Sequence, residues 1–327
     1  MIDTNHTTKP SRIVLGTDWM AAFPNSSKWN ILPAKGANIL LKKAIDLGIN
    51  AFDTARVYSS EGILGQFIRA NNIDREKLFI ISKGGHPGII SKNPKPITNI
   101  RLHKQLETSL KTLNTEYLDV FLIHYDDPNV PTDELVEWCL KLLKTNKIRK
   151  IGYSNFSLDR LIKITKALES EGCIPWVSTE FNCLPVQNAR WQGAQNISQN
   201  FEYLKFLKEK NIPLLAYSPL GRGYLKKKTD QIKKEDPLQK FIKLYIQKTT
   251  GEKKNQDSPE MSQQIAKLRT LSEKYKVSPV NIALQYVLRF SNNFYPVLGT
   301  SNPNHLEESL QALEVNLSAE DFADLSP

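Results

Sequence analysis

The chain reads as an α/β protein, a (β/α)8 barrel in a single domain spanning residues 1–327, and three observations predict it. Short strands rich in Val, Ile, Leu, Phe or Tyr alternate with amphipathic helices. Those strands are nearly continuous apolar runs, as parallel strands covered by helices require. Eight such units in 327 residues fit a closed barrel better than an open sheet. A doubly wound sheet would carry a glycine-rich dinucleotide turn; Gly221-Arg222-Gly223 lacks the third glycine and the following helix.

Taken in order, the opening strand lies in Ser11 to Leu15 and leads into Gly16-Thr17-Asp18-Trp19. Met20 to Pro33 reads as loop, and Lys35 to Leu47 as helix. The second strand, Asn50–Thr54, ends in a polar loop, after which Ile63, Leu64, Phe67 and Ile68 restore helical periodicity. Ser59 or Ser60 is placed to cap the helix Ser60–Ala70, with Glu61 in its first turn. Further strands are expected at Leu78–Ser82, Leu118–Ile123, Ile148–Tyr153, Trp176–Phe181, Pro213–Tyr217 and Tyr295–Leu298. Helices are expected at Ile100–Leu113, Thr132–Thr145, Leu158–Leu168, Asn200–Lys210, Met261–Tyr275, Pro279–Arg289 and His305–Leu313. Lys226 to Pro259 departs from the rhythm as a long lysine-rich insertion after the seventh strand, with a short extra helix expected over Asp236–Thr250. Insertions of that length are usually lids, binding loops or linkers.

Composition narrows the function classes. An apolar share of 40% and a charged share of 24% are ordinary for a globular protein. No stretch approaches the roughly 20 apolar residues that span a bilayer, and Met1 to Pro10 lacks a signal core. Cys139, Cys173 and Cys183 form no C-x-x-C pair, which argues against a disulfide framework and a zinc site and suits the cytoplasm. The net charge of +10 is mostly lysine, much of it between Lys226 and Lys254, and reads as a solvated surface. No nucleic-acid motif is present, so neither nucleic acid nor membrane is expected as partner.

In such a barrel the strand ends share one rim, where catalytic groups collect. Asp53 closes the second strand, Lys83 follows the third, His124 follows the fourth, and Tyr58 lies in the loop after Asp53. The bland alternative is a structural Asp53–Lys83 ion pair with His124 as a cap. The set suits carbonyl reduction. A proton must reach the substrate oxygen as hydride reaches its carbon, and a phenol of pKa about 10 needs a cation to make it acidic enough. Lys83 supplies that cation, Asp53 holds Lys83, and His124 directs a ring N–H at the oxygen or tunes Tyr58. Hydride itself must come from a cofactor.

These residues sit in motifs that resemble the aldo-keto reductase superfamily. Gly48-Ile49-Asn50-Ala51-Phe52-Asp53-Thr54-Ala55 with Tyr58 is similar to its first signature. Ile81-Ser82-Lys83, Leu122-Ile123-His124, Ile151-Gly152-Tyr153-Ser154-Asn155-Phe156, Leu215-Ala216-Tyr217-Ser218-Pro219-Leu220 and Leu298-Gly299-Thr300-Ser301-Asn302-Pro303 follow in the family's order. The resemblance covers essentially the whole chain. It implies the catalytic tetrad Asp53, Tyr58, Lys83 and His124, with NADPH, or NADH, across the rim. It further implies Ser154 and Asn155 on the nicotinamide carboxamide, Tyr217 stacked on its ring, and Ser218, Leu220 and Gly221 along the pyrophosphate. Gly299, Thr300 and Ser301 with Asn304, His305, Glu308 and Ser309 would surround the adenosine end; Gly16 and Thr17 join the cofactor set. No metal is implied.

Two departures stand out. Glu180 occupies the place of a usual glutamine beneath the carboxamide, and a carboxylate accepts but cannot donate. Ser301 stands where many members carry an arginine for the 2′-phosphate of NADPH, which weakens that preference; Ser309 replaces a frequent asparagine. Lysines of 226–254 are candidates to compensate.

On the substrate side the loops offer Trp19, Phe23, His86, Tyr125, Asp126 and Asp127, with Asn188, Arg190 and Trp191 from a later loop. His86 reads equally as loop packing, and Asp126 and Asp127 as caps of the turn at Pro128. If these groups face the pocket, a small-molecule carbonyl of the sugar type is favoured. The alternative function is a nucleotide-binding regulatory subunit with little turnover, as in the potassium-channel β-subunits, which resemble this superfamily. Monomer and homo-oligomer both remain open.

Overall fold

The computed structural model describes residues 8–20, 34–58, 60–86, 96–186, 193–223, 225 and 258–326. Its strands are parallel and follow one another in chain order, β1 to β8, as a closed barrel. The chain forms two compact units, Met1–Ser178 and Thr179–Pro327, with the boundary inside the sixth strand.

The first unit alternates β1 (Val14–Gly16), α1 (Ala34–Asp46), β2 (Ala51–Asp53), α2 (Glu61–Ala70), β3 (Phe79–Gly84) and α3 (Asn99–Leu113). It continues through β4 (Leu118–Ile123), α4 (Thr132–Lys144), β5 (Ile148–Ser154), α5 (Leu158–Glu169) and the start of β6 (Trp176–Glu180). Strands β2, β3 and β4 are buried at every position, their mostly apolar runs interrupted only by Asp53, by Ser82 and Lys83, and by Asp119. The helices bury one stripe each. In α4 the buried residues are Leu135, Val136, Cys139, Leu142 and Leu143, while Asp133 and Glu134 sit in the first turn and Lys141 and Lys144 in the last, complementing the helix dipole. Each such leucine, removed from water, contributes about 1.5–3 kcal/mol. β3 runs two residues past the expected Ser82, because Lys83 and Gly84 still pair with Leu122 and Ile123 of β4.

The second unit holds the end of β6, α6 (Phe201–Glu209), β7 (Leu214–Tyr217) and a 3-10 turn at Gly221–Gly223. Then come α7 (Pro259–Tyr275), α8 (Pro279–Phe290), β8 (Phe294–Leu298), α9 (Pro303–Leu310) and α10 (Ala319–Asp324). Proline opens α7, α8 and α9 behind the capping side chains of Ser258, Ser278 and Asn302. The helix expected over His305–Leu313 is therefore split: it starts at Pro303 and tightens into a 3-10 turn over Gln311–Leu313. Helix α10 is too short to betray itself by periodicity. It is held by Asp321, whose carboxylate takes Lys274 at 2.8 Å and the Tyr275 hydroxyl, both from α7. Residues 226–257, and with them the expected Asp236–Thr250 helix, lie outside the described residues. Among the described residues no helix is long and apolar enough to cross a membrane.

Candidate active site

Backbone hydrogen bonds carry the parallel ladder past the strand ends and fix the loop after β2. Thr17 N–H donates to the Asp53 carbonyl at 2.9 Å, Thr54 N–H to Ile81 at 2.9 Å and Arg56 N–H to Lys83 at 3.0 Å. His124 N–H donates to the Gly84 carbonyl at 2.7 Å. The ends of β2, β3 and β4 thereby bring their ionisable residues together. Lys83 Nζ stands 2.6 Å from Asp53 Oδ1 and 2.7 Å from Oδ2, so the ammonium straddles the carboxylate. It also donates to the Thr54 carbonyl at 3.0 Å and reaches the Tyr58 hydroxyl at 3.4 Å, the outer limit of a hydrogen bond. The same ammonium is 4.8 Å from the Tyr58 ring centroid. Asp53 and Lys83 are both buried. Desolvating such a pair opposes much of its attraction, so it contributes defined geometry more than stability.

His124 completes the group. Its ring lies 5.5 Å from that of Tyr58, edge to face. Burial first, then the neighbouring His86 and Lys83, hold its pKa well below the ordinary histidine value. The imidazole is therefore neutral, with one N–H donor and one acceptor. Its Nδ1 is buried without a hydrogen-bond partner among the described residues. His86 packs edge to face on His124 at 5.0 Å and on Tyr125 at 5.7 Å. Burial and Arg101 lower the His86 pKa to about 4, and burial raises that of Tyr125 to about 12. Tyr58, His124, His86 and Tyr125 thus make one continuous chain of ring contacts.

Sequence reasoning missed the polar layer behind this group. Ser60 stands at the N-cap of α2 but makes no capping bond. Its hydroxyl instead meets Thr17 Oγ1 at 2.9 Å and Thr54 Oγ1 at 3.0 Å, and Thr17 Oγ1 also donates to the Asp53 carbonyl at 3.1 Å. Thr17, expected in the cofactor set, is fully buried in this network; Gly16 beside it pairs with Asp53 in the β1–β2 register. Glu61 is fully buried too: it accepts the Ser82 hydroxyl at 2.7 Å and pairs with Arg56. A carboxylate in a first helical turn is ordinary dipole chemistry, so nothing in the sequence signalled these partners.

The residues of the first unit expected to hold the cofactor are Ser154, the last of β5, and Asn155. Both are buried; Asn155 adopts φ +64° and donates its amide to Ser154 Oγ at 2.9 Å. An amide beside a hydroxyl supplies the donor and acceptor that a carboxamide needs, so this pair fits a nicotinamide.

In the second unit, Tyr217 ends β7 and Ser218 turns left-handed at φ +52°. Leu220 is half-buried and Gly221, at φ +57°, is buried. Glu180, expected beneath the carboxamide, has both oxygens on Arg222: Nε donates to Oε1 at 2.8 Å and Nη2 to Oε2 at 2.6 Å. Arg222 was not foreseen. Of the residues expected at the adenosine end, Gly299, Thr300 and Ser301 precede α9, His305 lies in its first turn, and Glu308 and Ser309 lie in its last. Gly299 and Glu308 are exposed, Thr300, Ser301 and His305 half-buried. Ser309 is buried and donates to the His305 carbonyl at 2.6 Å.

On the substrate side, Trp191 with Asn188 and Arg190, Phe23, and the Trp19 side chain lie outside the described residues. Asp127 accepts from the backbone of Asn129 at 3.1 Å and of Ile97 at 3.3 Å, and Asp126 lies 3.2 Å from Arg160. Asp127 thus ties its own turn to the segment before α3, and Asp126 faces α5.

Three comparisons bear on this arrangement. The sequence model of the aldo/keto reductase family matches residues 12–326. The chain belongs to that family. Similar aldo/keto reductases include one from Bacillus subtilis, YhdN, 25% identical over 97% of this chain and 89% of its own. An aryl-alcohol dehydrogenase of Pestalotiopsis microspora is 27% identical over 88% of this chain and 70% of its own. A thermostable aldo-keto reductase crystallised with the inhibitor epalrestat shares the fold, with a TM-score of 0.71 and 23% identity over 100% of this chain and 97% of that one. Aldo/keto reductases are oxidoreductases of carbonyl or alcohol substrates that use nicotinamide cofactors.

Proposed function

We propose that the protein is a cytoplasmic NADPH-dependent reductase, with NADH as the second choice, interconverting an aromatic aldehyde or ketone and its alcohol. The observation that carries this reading is the Lys83 ammonium lying between Asp53 at 2.6 Å and the Tyr58 hydroxyl at 3.4 Å. When bound, the reduced nicotinamide supplies the hydride. Tyr58 gives its hydroxyl proton to the substrate oxygen, and Lys83 stabilises the phenolate left behind. Asp53 keeps the ammonium in place, and neutral His124 donates one ring N–H to the same oxygen. In the oxidative direction the Tyr58 phenolate takes the proton back.

Ser154 and Asn155 hold the carboxamide, and residues 299–309 the adenosine end. With a hydroxyl at Ser301 instead of a guanidinium, the preference for NADPH over NADH is narrow.

The substrate class follows from the rings. Tyr58, His124, His86 and Tyr125 form a run of rings packed edge to face, and an arrangement of that kind favours another aromatic ring beside it. Asp126 and Asp127, the groups a sugar would need, are engaged by Arg160 and by their own loop. The aryl-alcohol dehydrogenase among the relatives agrees with this choice. The test is to mix the protein with NADPH or NADH and a panel of benzaldehydes and aldoses, following loss of reduced-cofactor absorbance. Consumption with the benzaldehydes above that with aldoses is expected; no consumption with any carbonyl would sink the reading.

A further inference from the structure

The turn after β7 holds three residues in the left-handed region, Ser218 (φ +52°), Gly221 (φ +57°) and Arg222 (φ +61°). Such a conformation is costly for serine and arginine and persists only where the surroundings over-determine it. At Gly221 a Cβ would run into Leu184 Cδ1, so even the glycine is closely walled. Two ties from the β6 side hold the turn. Asn182 Nδ2 donates to the Ser218 carbonyl at 3.3 Å. The Arg222 guanidinium grips Glu180 with two bonds, at 2.8 and 2.6 Å.

Glu180 is fully buried and the Arg222 side chain is only 8% exposed. Sinking both charges adds little net stability, because desolvation opposes the attraction. What a planar, two-pronged pair does supply is orientation.

We propose that Glu180 and Arg222 are positioning residues that lock the Ser218–Gly223 turn in the shape that receives the cofactor's diphosphate. The inference rests on the nicotinamide-nucleotide reading above and gives Glu180 a task other than contacting the carboxamide. The two roles predict opposite signs for one substitution. Beneath a carboxamide, Glu180→Gln would add the donor the carboxylate lacks, and NADPH would bind more tightly. As a lock, Glu180→Gln loses the charge-assisted fork, and NADPH binds more weakly.

The experiment is calorimetric titration of NADPH and NADH into the full-length wild type, Glu180→Gln, and the double variant Glu180→Met with Arg222→Met. An apolar replacement of a buried ion pair commonly leaves stability unchanged or raised. The double variant is therefore expected to melt near the wild-type temperature while its NADPH dissociation constant rises at least about tenfold, roughly 1.4 kcal/mol. Glu180→Gln should raise it by about three- to tenfold. Unchanged or tighter binding in Glu180→Gln would overturn the proposal, and that variant decides the matter if the double variant does not fold. Failure of the wild type to bind either nucleotide would overturn the nicotinamide reading and this inference with it, an outcome distinct from equal binding by wild type and variants.

Discussion

The Glu61 carboxylate accepts the Ser82 hydroxyl at 2.7 Å, one residue before Lys83 on β3, while its other oxygen pairs with Arg56, two residues before Tyr58. One buried carboxylate thus braces both the strand that carries the ammonium and the loop that carries the phenol. Glu61→Ala leaves Arg56 and Ser82 without that partner. Breaking a buried pair costs about 3–5 kcal/mol, and Arg56, being partly exposed, can rehydrate, so the lower end is expected. Urea unfolding should register this loss. Turnover of the folded fraction should fall through kcat more than KM, since the reacting groups and not the binding surface are disturbed.

Tyr58→Phe removes the proposed proton donor and keeps the ring that packs edge to face on His124. Turnover should drop by about 10²–10⁴-fold, the usual worth of a positioned acid. NADPH affinity, measured by titration, should stay within about twofold, well under the 1.4 kcal/mol of a tenfold change. Near-wild-type rates in this variant would exclude Tyr58 as the donor.

Lys83→Met should be harsher on the fold. It leaves Asp53 charged and buried without its ammonium, a change worth about 3–5 kcal/mol against folding. Asp53→Asn with Lys83→Met removes both charges and should recover much of the melting temperature without restoring turnover. A double variant as unstable as the single one would show that the cost lies in packing and not in the orphaned charge.

Much of the barrel was legible because continuous apolar strands and striped helices state their burial directly. Asp53, Lys83 and His124 could be found by asking what closes each strand. Glu61 and Ser60 could not, because a Ser-Glu pair before an apolar run is also what an ordinary helix start looks like. Ser60 turns from the helix end to Thr17 and Thr54, partners distant in sequence or on another element. The Glu180–Arg222 pair is equally non-local: 42 residues separate its members, and the arginine lies in a turn whose glycines read as simple punctuation.

The acid side of the stability profile carries the sign of the two histidines. The folded protein holds His86 at a pKa of about 4 and His124 well below its ordinary value, so both stay neutral where the unfolded chain takes up protons. Their contribution is complete above about pH 6.5 and is lost as pH falls toward 4. Asp126 acts oppositely: burial raises its pKa to about 6, so its contribution is complete below the ordinary carboxylate range and fades as pH rises through 6. In urea midpoints at pH 7.5 and 5, His86→Gln should lose less on acidification than wild type, and Asp126→Asn should lose more. Parallel profiles for all three proteins would refute the assignment.

Two glycines one turn apart in α2 should respond in opposite directions to the same methyl group. A Cβ on Gly65 would lie 2.6 Å from the Leu113 carbonyl oxygen, and a backbone atom at the end of α3 cannot step aside. Gly65→Ala should therefore cost about 1–3 kcal/mol, as overpacked substitutions do. A Cβ on Gly62 would have its nearest neighbour, Thr112 Cγ2, at 3.7 Å, an ordinary contact. There alanine only restricts the unfolded chain and suits the helix, and a gain of about 0.4–1 kcal/mol is expected. Paired thermal melts decide it: α2 meets α3 at Gly65 as described only if Gly65→Ala melts lower than wild type while Gly62→Ala does not.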